Sequence, residues 1–125
     1  MALQIGSLEK KPGFFELSLA GRLDSVTYAD LEKRIDLLMT VPVQAIVLDL
    51  GLLEYISSMG LRVILKTRKD LKAKNGVLMV TNMQPQIKKV FAIANAIPDD
   101  AIFASVDEAD RYYAAIQDKV KRGEA

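Results

Sequence analysis

The sequence predicts an α/β domain: a mostly parallel mixed sheet of about five strands with four helices, opening on a β-hairpin. Three observations carry that expectation. The segments Ala45-Ile46-Val47-Leu48 and Val77 to Val80 are apolar without polar alternation, as strands covered on both faces are. Other, longer segments repeat apolar residues at three- and four-residue spacing, the mark of helices that bury one stripe. The two kinds of segment alternate along the chain, which implies right-handed crossovers between parallel strands.

Each element has its own local reason. Leu3 to Ile5 form a short apolar stretch, and Lys10-Lys11-Pro12-Gly13 reads as a turn. Phe15, Leu17 and Leu19 follow at a spacing of two with Glu16 and Ser18 between them, so the two segments make an antiparallel hairpin. Gly21 to Asp24 breaks that pattern and begins a loop running to Val26. Thr27 precedes Asp30 by three positions, a capping-box-like start for a helix with Tyr28, Leu31, Ile35 and Leu38 on one stripe. Pro42 follows its end. The strand at Ala45 to Leu48 has Asp49 near its carboxyl end, and Leu50 to Ser58 reads as a loop. A helix then runs from about Ser58 to Lys74, burying Leu61, Ile64, Leu65 and Leu71. Asn75-Gly76 ends it, the glycine being suited to a left-handed cap.

Pro85 fits the first turn of a third helix, whose Ile87, Val90, Phe91 and Ala94 fall on one face. Pro98-Asp99-Asp100 reads as a loop and Ala101 to Ala104 as a short last strand. Ser105 and Glu108 form a capping box for a final helix carrying Ala109, Tyr112, Tyr113, Ile116 and Val120. The domain is expected to span residues 1–118, with Lys119 to Ala125 a frayed tail that has little to bury.

Composition narrows the chemistry. A chain of 125 residues fits one core. Lys+Arg number 17 against 16 Asp+Glu, a net charge of +1, which argues against direct nucleic-acid binding by counterion release. The chain has no cysteine and no histidine, so disulfides, thiolate catalysis, His-based metal sites and Ser-His triads are excluded. No apolar run approaches the roughly 20 residues of a membrane span, so no membrane insertion is expected and the cytoplasm is the expected location. No cofactor is expected.

Loops that follow parallel strands emerge on one edge of the sheet, where function gathers. That geometry puts the Gly21-to-Val26 loop and the Leu50-to-Ser58 loop together. In the second, Ser57 and Ser58 open a helix with Gly60 in its first turn. Glycine there costs about 1 kcal/mol against alanine, so a close backbone approach is expected. On capping preference alone, Ser57 or Ser58 simply caps the helix.

Val47-Leu48-Asp49-Leu50 followed by Tyr55-Ile56-Ser57-Ser58-Met59-Gly60-Leu61 resembles the signature of the STAS-domain anti-sigma factor antagonists. Leu19-Ala20-Gly21-Arg22-Leu23-Asp24 matches the family's second landmark, and the likeness runs from about Phe15 to the last helix. The resemblance implies a STAS-like single domain that is a binding module rather than an enzyme. It implies an unphosphorylated form that binds an anti-sigma factor, itself a serine kinase, and so frees a sigma factor. Phosphorylation at Ser58 would end that binding, and a serine phosphatase would restore it. The alternative within the fold is a scaffold or accessory protein-interaction module outside sigma control.

Sporulation-type members carry Asp-Ser-Ser-Gly where this chain has Ser57-Ser58-Met59-Gly60, which makes Ser57 the second choice of acceptor. The partner-binding set implied by the match is Arg22, Asp24, Ser57, Ser58, Met59, Gly60 and Arg62. Met59 reads as an exposed, adaptable contact, unlike the other methionines. A small serine hydrolase is the weaker reading, since Ser58 has no histidine to activate it. Asp49 lacks the acidic pair that a phospho-accepting aspartate needs and reads as structural or interface-lining. Lys66, Arg68, Lys69, Lys72 and Lys74 read as a solvated face, and Tyr112 and Tyr113 as core edge. The sequence leaves strand order and oligomeric state open.

Overall fold

Strand alternation sorts side chains to two faces of one sheet. The computed structural model describes residues 3–94 and 101–121. Its elements are β1 (Leu3–Lys11), β2 (Phe14–Leu23), α1 (Tyr28–Leu38), β3 (Ala45–Ile56), α2 (Ser58–Ala73), β4 (Val77–Thr81), α3 (Pro85–Ala94), β5 (Ile102–Phe103) and α4 (Val106–Lys121). The five strands lie in the order β1-β2-β3-β4-β5, with β1 antiparallel to β2 and every later pair parallel. The expected hairpin, mixed sheet and helix count are therefore all present.

Phe15, Leu17, Leu19, Ile46, Leu48, Leu78 and Val80 share one face with the buried stripes of α1, α2 and α3, forming the larger core cluster. Phe14, Val47 and Met79 point the other way and pack with Ala109 and Tyr113 of α4. The Tyr113 ring lies 4.7 Å from that of Phe14, and its hydroxyl donates to Gln44 at 3.2 Å. Lys10 of β1 pairs with Asp110 of α4 and, at 3.3 Å, with Glu16, which ties the hairpin to the last helix. Tyr113 is buried, whereas Tyr112 is 39% exposed beside Phe103.

The structure corrects several boundaries. β2 continues through Leu23 and β3 through Ile56, so the expected Gly21-to-Val26 loop shrinks to a turn after Leu23, and most of the Leu50-to-Ser58 loop is strand. The two extensions pair with each other, Arg22 against Tyr55 and Leu23 against Ile56, past register shifts between Ser18 and Ala20 and between Gly21 and Arg22. These irregularities bring Leu50, Leu53 and Ile56 to the buried side at a spacing of three, which hides the strand from a period-two reading. β1 runs to Lys11, and the last strand is only Ile102–Phe103.

Asn75, not Gly76, takes the left-handed turn after α2, with φ 62°. Gly76 serves packing instead, because a Cβ there would stand 3.1 Å from the Gln44 carbonyl oxygen and from Leu71. In α3, Ile87 and Phe91 are buried, Val90 is half-buried and Ala94 is exposed. The expected loop at Pro98-Asp99-Asp100 lies outside the described residues. α4 runs through Lys121, and the remainder of the expected tail, with the side chains of Ile116 and Val120, also lies outside them.

Candidate functional site

Two strand-to-helix junctions stand side by side at one edge of the sheet. They are joined by backbone: the Ser57 N–H donates to the Leu23 carbonyl at 2.8 Å. Gly60 makes that approach possible. It is buried, and a Cβ on it would come 2.5 Å from Leu23 Cγ and 3.0 Å from the Leu23 oxygen. The close approach inferred from the sequence is thus the start of α2 lying on the end of β2.

The two serines divide the labour of that helix start. Ser57 is the N-cap, in extended backbone, and its Oγ accepts from the Gly60 N–H at 3.2 Å. The Ser57 carbonyl accepts the first intrahelical bond, from Leu61 at 2.9 Å. Ser58 is the first helical residue and is exposed. Among the described residues its hydroxyl has no hydrogen-bond partner, and the N–H groups of Ser58 and Met59 have no protein acceptor. The first turn of α2 holds no acidic residue. Free N–H groups and the positive end of the helix dipole therefore meet at an accessible hydroxyl.

The neighbouring junction is capped differently. Asp24 Oδ1 accepts from the Val26 N–H at 2.9 Å and the Thr27 N–H at 3.0 Å. Those backbone bonds, Val26 first and Thr27 next, together with Arg22 nearby, hold its carboxyl below the ordinary value near 3.8. The capping box expected of Thr27 and Asp30 does not form. Thr27 adopts helical backbone without a side-chain cap, and its hydroxyl donates to the Arg22 carbonyl at 2.8 Å while accepting from the Asp24 N–H at 2.9 Å. An aspartate three residues upstream of Thr27 takes over the acceptor role in an Asx-type turn.

Arg22 rests with its guanidinium 4.2 Å from the centre of the Tyr55 ring, and its Nε lies 3.7 Å from Asp24 Oδ2. Both contacts are exposed, so the stacking is worth roughly 0.5–1 kcal/mol and the ion pair less. They orient the guanidinium more than they stabilise the fold. Arg62 is exposed on α2 and takes part in none of the ion pairs among the described residues. Met59 is half-buried, as Met39 and Met83 are, and not the exposed contact expected of it.

Asp49 is structural. Its Oδ1 accepts from the Gly51 N–H at 3.0 Å and from Asn82 Nδ2 at 3.1 Å, tying β3 to the end of β4. The basic residues of α2 lie on an outward face, with Arg68 half-buried and the other four exposed. Among the described residues no group of three or more acidic side chains is placed to hold a metal ion, and no helix is long and apolar enough to cross a membrane.

Two members of this edge escaped the sequence reading: Val26, 82% exposed at the tip of the first turn, and Tyr55, 42% exposed beneath Arg22. Tyr55 stood inside the matched segment, but only the β2–β3 pairing reveals that it carries a guanidinium.

The STAS domain family model matches residues 7–109. A protein of Bordetella bronchiseptica named "Putative anti-sigma factor antagonist BtrV" is 34% identical over 88 residues, covering 70% of this chain and 76% of that protein. The anti-sigma factor antagonist SpoIIAA in its unphosphorylated form superposes with a TM-score of 0.78 at 21% identity, over 89% of this chain and 97% of the other. The Bacillus cell fate determinant SpoIIAA in its phosphorylated form gives 0.73 at 21% identity, over 87% and 99%. At these identities the structural likeness establishes the fold.

Proposed function

This chain belongs to the STAS domain family, with an anti-sigma factor antagonist as its relative, and from that premise we propose that it is a switched protein-binding module. Its unphosphorylated form binds a partner that is both anti-sigma factor and serine kinase, which releases a sigma factor. Phosphorylation of Ser58 ends the binding, and a serine phosphatase reverses it. One observation carries the choice of residue: the Ser57 hydroxyl is engaged by the Gly60 N–H, while Ser58 is exposed beside it. Ser57 is half-buried with its Oγ packed at the helix start, where a phosphoryl group would be crowded, whereas the Ser58 hydroxyl is open to a kinase and its modification disturbs no bond.

The physics of the switch follows from place. A phosphoserine brings about −1.5 to −2 charges and three acceptor oxygens. At the start of α2 that charge meets free N–H groups and a favourable dipole, so the domain stays folded. The cost falls on the complex, where a hydrated dianion would need matched cations to be desolvated. Arg22, Asp24, Met59 and Arg62 border the same edge and belong to the proposed contact surface, with Val26 and Tyr55 added; Gly60, expected in that set, is buried against Leu23 and positions the helix start instead.

The test begins with intact mass and fragmentation on protein from its native host. A gain of about 80 Da at Ser58 is expected. Titration against a purified kinase-type anti-sigma factor from the same host then follows. Ser58→Asp should bind at least tenfold more weakly than wild type, and Ser58→Ala should bind but resist switching. Equal binding by all three proteins would remove Ser58 from the mechanism.

A further inference from the structure

The sheet has two edges, and they are guarded unequally. At one end β5 contributes only Ile102–Phe103, which leaves little backbone to pair. At the other end β1 contributes Leu3–Lys11, paired on one side with β2 from Leu3 against Gly21 to Lys11 against Phe14. Among the described residues nothing pairs its other side. A long free edge is a template for another strand unless proline, charge or a bulge blunts it. The run Leu3-Gln4-Ile5-Gly6-Ser7-Leu8 has neither proline nor charge, and the only register shift in β1 falls beyond it, between Glu9 and Lys11. Of the three charges that follow, Lys11 is exposed at the strand's end and the other two are turned to the chain's own structure. Glu9 accepts from the Gly13 N–H at 3.1 Å, and Lys10 pairs with Glu16 and Asp110.

Gly6 is an independent observation. Glycine inside a strand weakens it and often marks the close approach of another backbone. Gly60 has such a neighbour within the chain, as described above. Gly6 has none: its φ is not positive, and a Cβ would sit 3.6 Å from Ser18 Cβ, an ordinary contact. The chain's own fold gives no reason for a glycine at the centre of the uncharged edge.

We propose that β1 pairs antiparallel with β1 of a second copy, about a two-fold axis near Gly6, joining the two five-stranded sheets into one. The run is self-complementary. Pairing about Gly6 sets Ile5 of one copy opposite Ser7 of the other, Gln4 opposite Leu8 and Leu3 opposite Glu9, so no like charges meet. A parallel, in-register pairing would stack Glu9 on Glu9 and Lys11 on Lys11. Leu3 and Ile5 are only half-buried at the sheet margin, and Leu8 is 59% exposed, so a second strand covers apolar surface as well as backbone. The pairing does not depend on phosphorylation at Ser58.

Sedimentation equilibrium of the full chain from about 10 μM to about 1 mM tests it. The weight-average mass should rise from the monomer's 13.8 kDa toward twice that value. Gly6→Lys should hold at the monomer mass throughout, because two lysines would face each other across the axis; the room at Gly6 lets it fold, which its thermal melt checks. Ser7→Lys, at an exposed position, is the second edge block if Gly6→Lys melts early. Leu52→Lys, at a residue 72% exposed on β3, should dimerise like wild type. A wild-type mass that stays at the monomer value overturns the proposal, the edge then being free for an extended segment of another protein. So does a dimer that survives in a folded edge variant, or one that Leu52→Lys abolishes.

Discussion

α1 and α2 begin at the same edge of the sheet and are secured by different chemistry. In the turn that leads into α1 a carboxylate, Asp24, accepts from the Val26 and Thr27 N–H groups with Arg22 beside it, while its backbone carbonyl accepts from Tyr28 at 3.0 Å. For α2 the acceptor is the neutral Ser57 hydroxyl, serving Gly60, and the first turn carries no acidic residue. One helix start is already neutralised by a fixed charge. The other is left positive, next to an accessible hydroxyl. An added charge has its greatest effect where none was present before, so the contrast separates a junction with a fixed charge from one where the proposed phosphorylation would act.

The comparison rests on the two junctions staying in contact, and Gly60 is where it breaks. Leu23 is fully buried and cannot swing away from a methyl group placed 2.5 Å from its Cγ. Overpacking of this kind costs about 1–3 kcal/mol, and alanine's better helix propensity returns at most about 1 kcal/mol. Gly60→Ala should therefore destabilise the domain by about 2 kcal/mol, read as a fall of roughly 5–10 °C in melting temperature. An unchanged melt would mean that α2 is not pressed against β2 as described.

A smaller effect sharpens the difference in cap chemistry. The folded-state proton affinity of Asp24 is lowered, so its contribution to stability is present above the ordinary carboxylate value near 3.8 and is lost as pH falls through the lower folded value. Ser57 carries no such dependence. Asp24→Asn keeps an acceptor at the cap and removes the charge. The melting temperature of wild type should exceed that of Asp24→Asn at neutral pH, and the gap should close as the pH falls below that range. A gap independent of pH would show that the carboxylate charge is not what secures α1.

How much of this was legible in the sequence depends on what each residue touches. The apolar runs at Ala45–Leu48 and Val77–Val80 are covered on both faces by local necessity, so their pattern alone reveals parallel strands. The ends of β2 and β3 look like loops in the sequence because two register shifts destroy the period of two, and because their partners lie about thirty residues apart along the chain. Gly60 announced a close approach but not its partner, Leu23. Thr27 and Asp30 have the spacing of a capping box, yet the Thr27 hydroxyl is taken by the Arg22 carbonyl and the Asp24 N–H, a competition that spacing does not weigh. Tyr55 gave no signal of its own, because its role exists only once Arg22 lies across from it.

The smallest effect is the most discriminating, because its sign differs between two adjacent serines. Ser57→Ala removes the bond to the Gly60 N–H and should cost about 0.5–1 kcal/mol, within the usual range for a lost N-cap. Ser58→Ala removes no bond and should stay within about 0.5 kcal/mol of wild type. Ser58→Asp places a negative charge at the uncompensated start of α2 and should stabilise by about 0.3–1 kcal/mol, an increment that added salt reduces. Chemical denaturation of the three variants at low and high salt reads all of this at once. A Ser58→Asp protein less stable than wild type would mean that α2 cannot accept the charge, and that loss of binding in that variant reflects damage to the fold. The expected gain would place the repulsion of the proposed switch at the partner's surface and leave the domain itself intact.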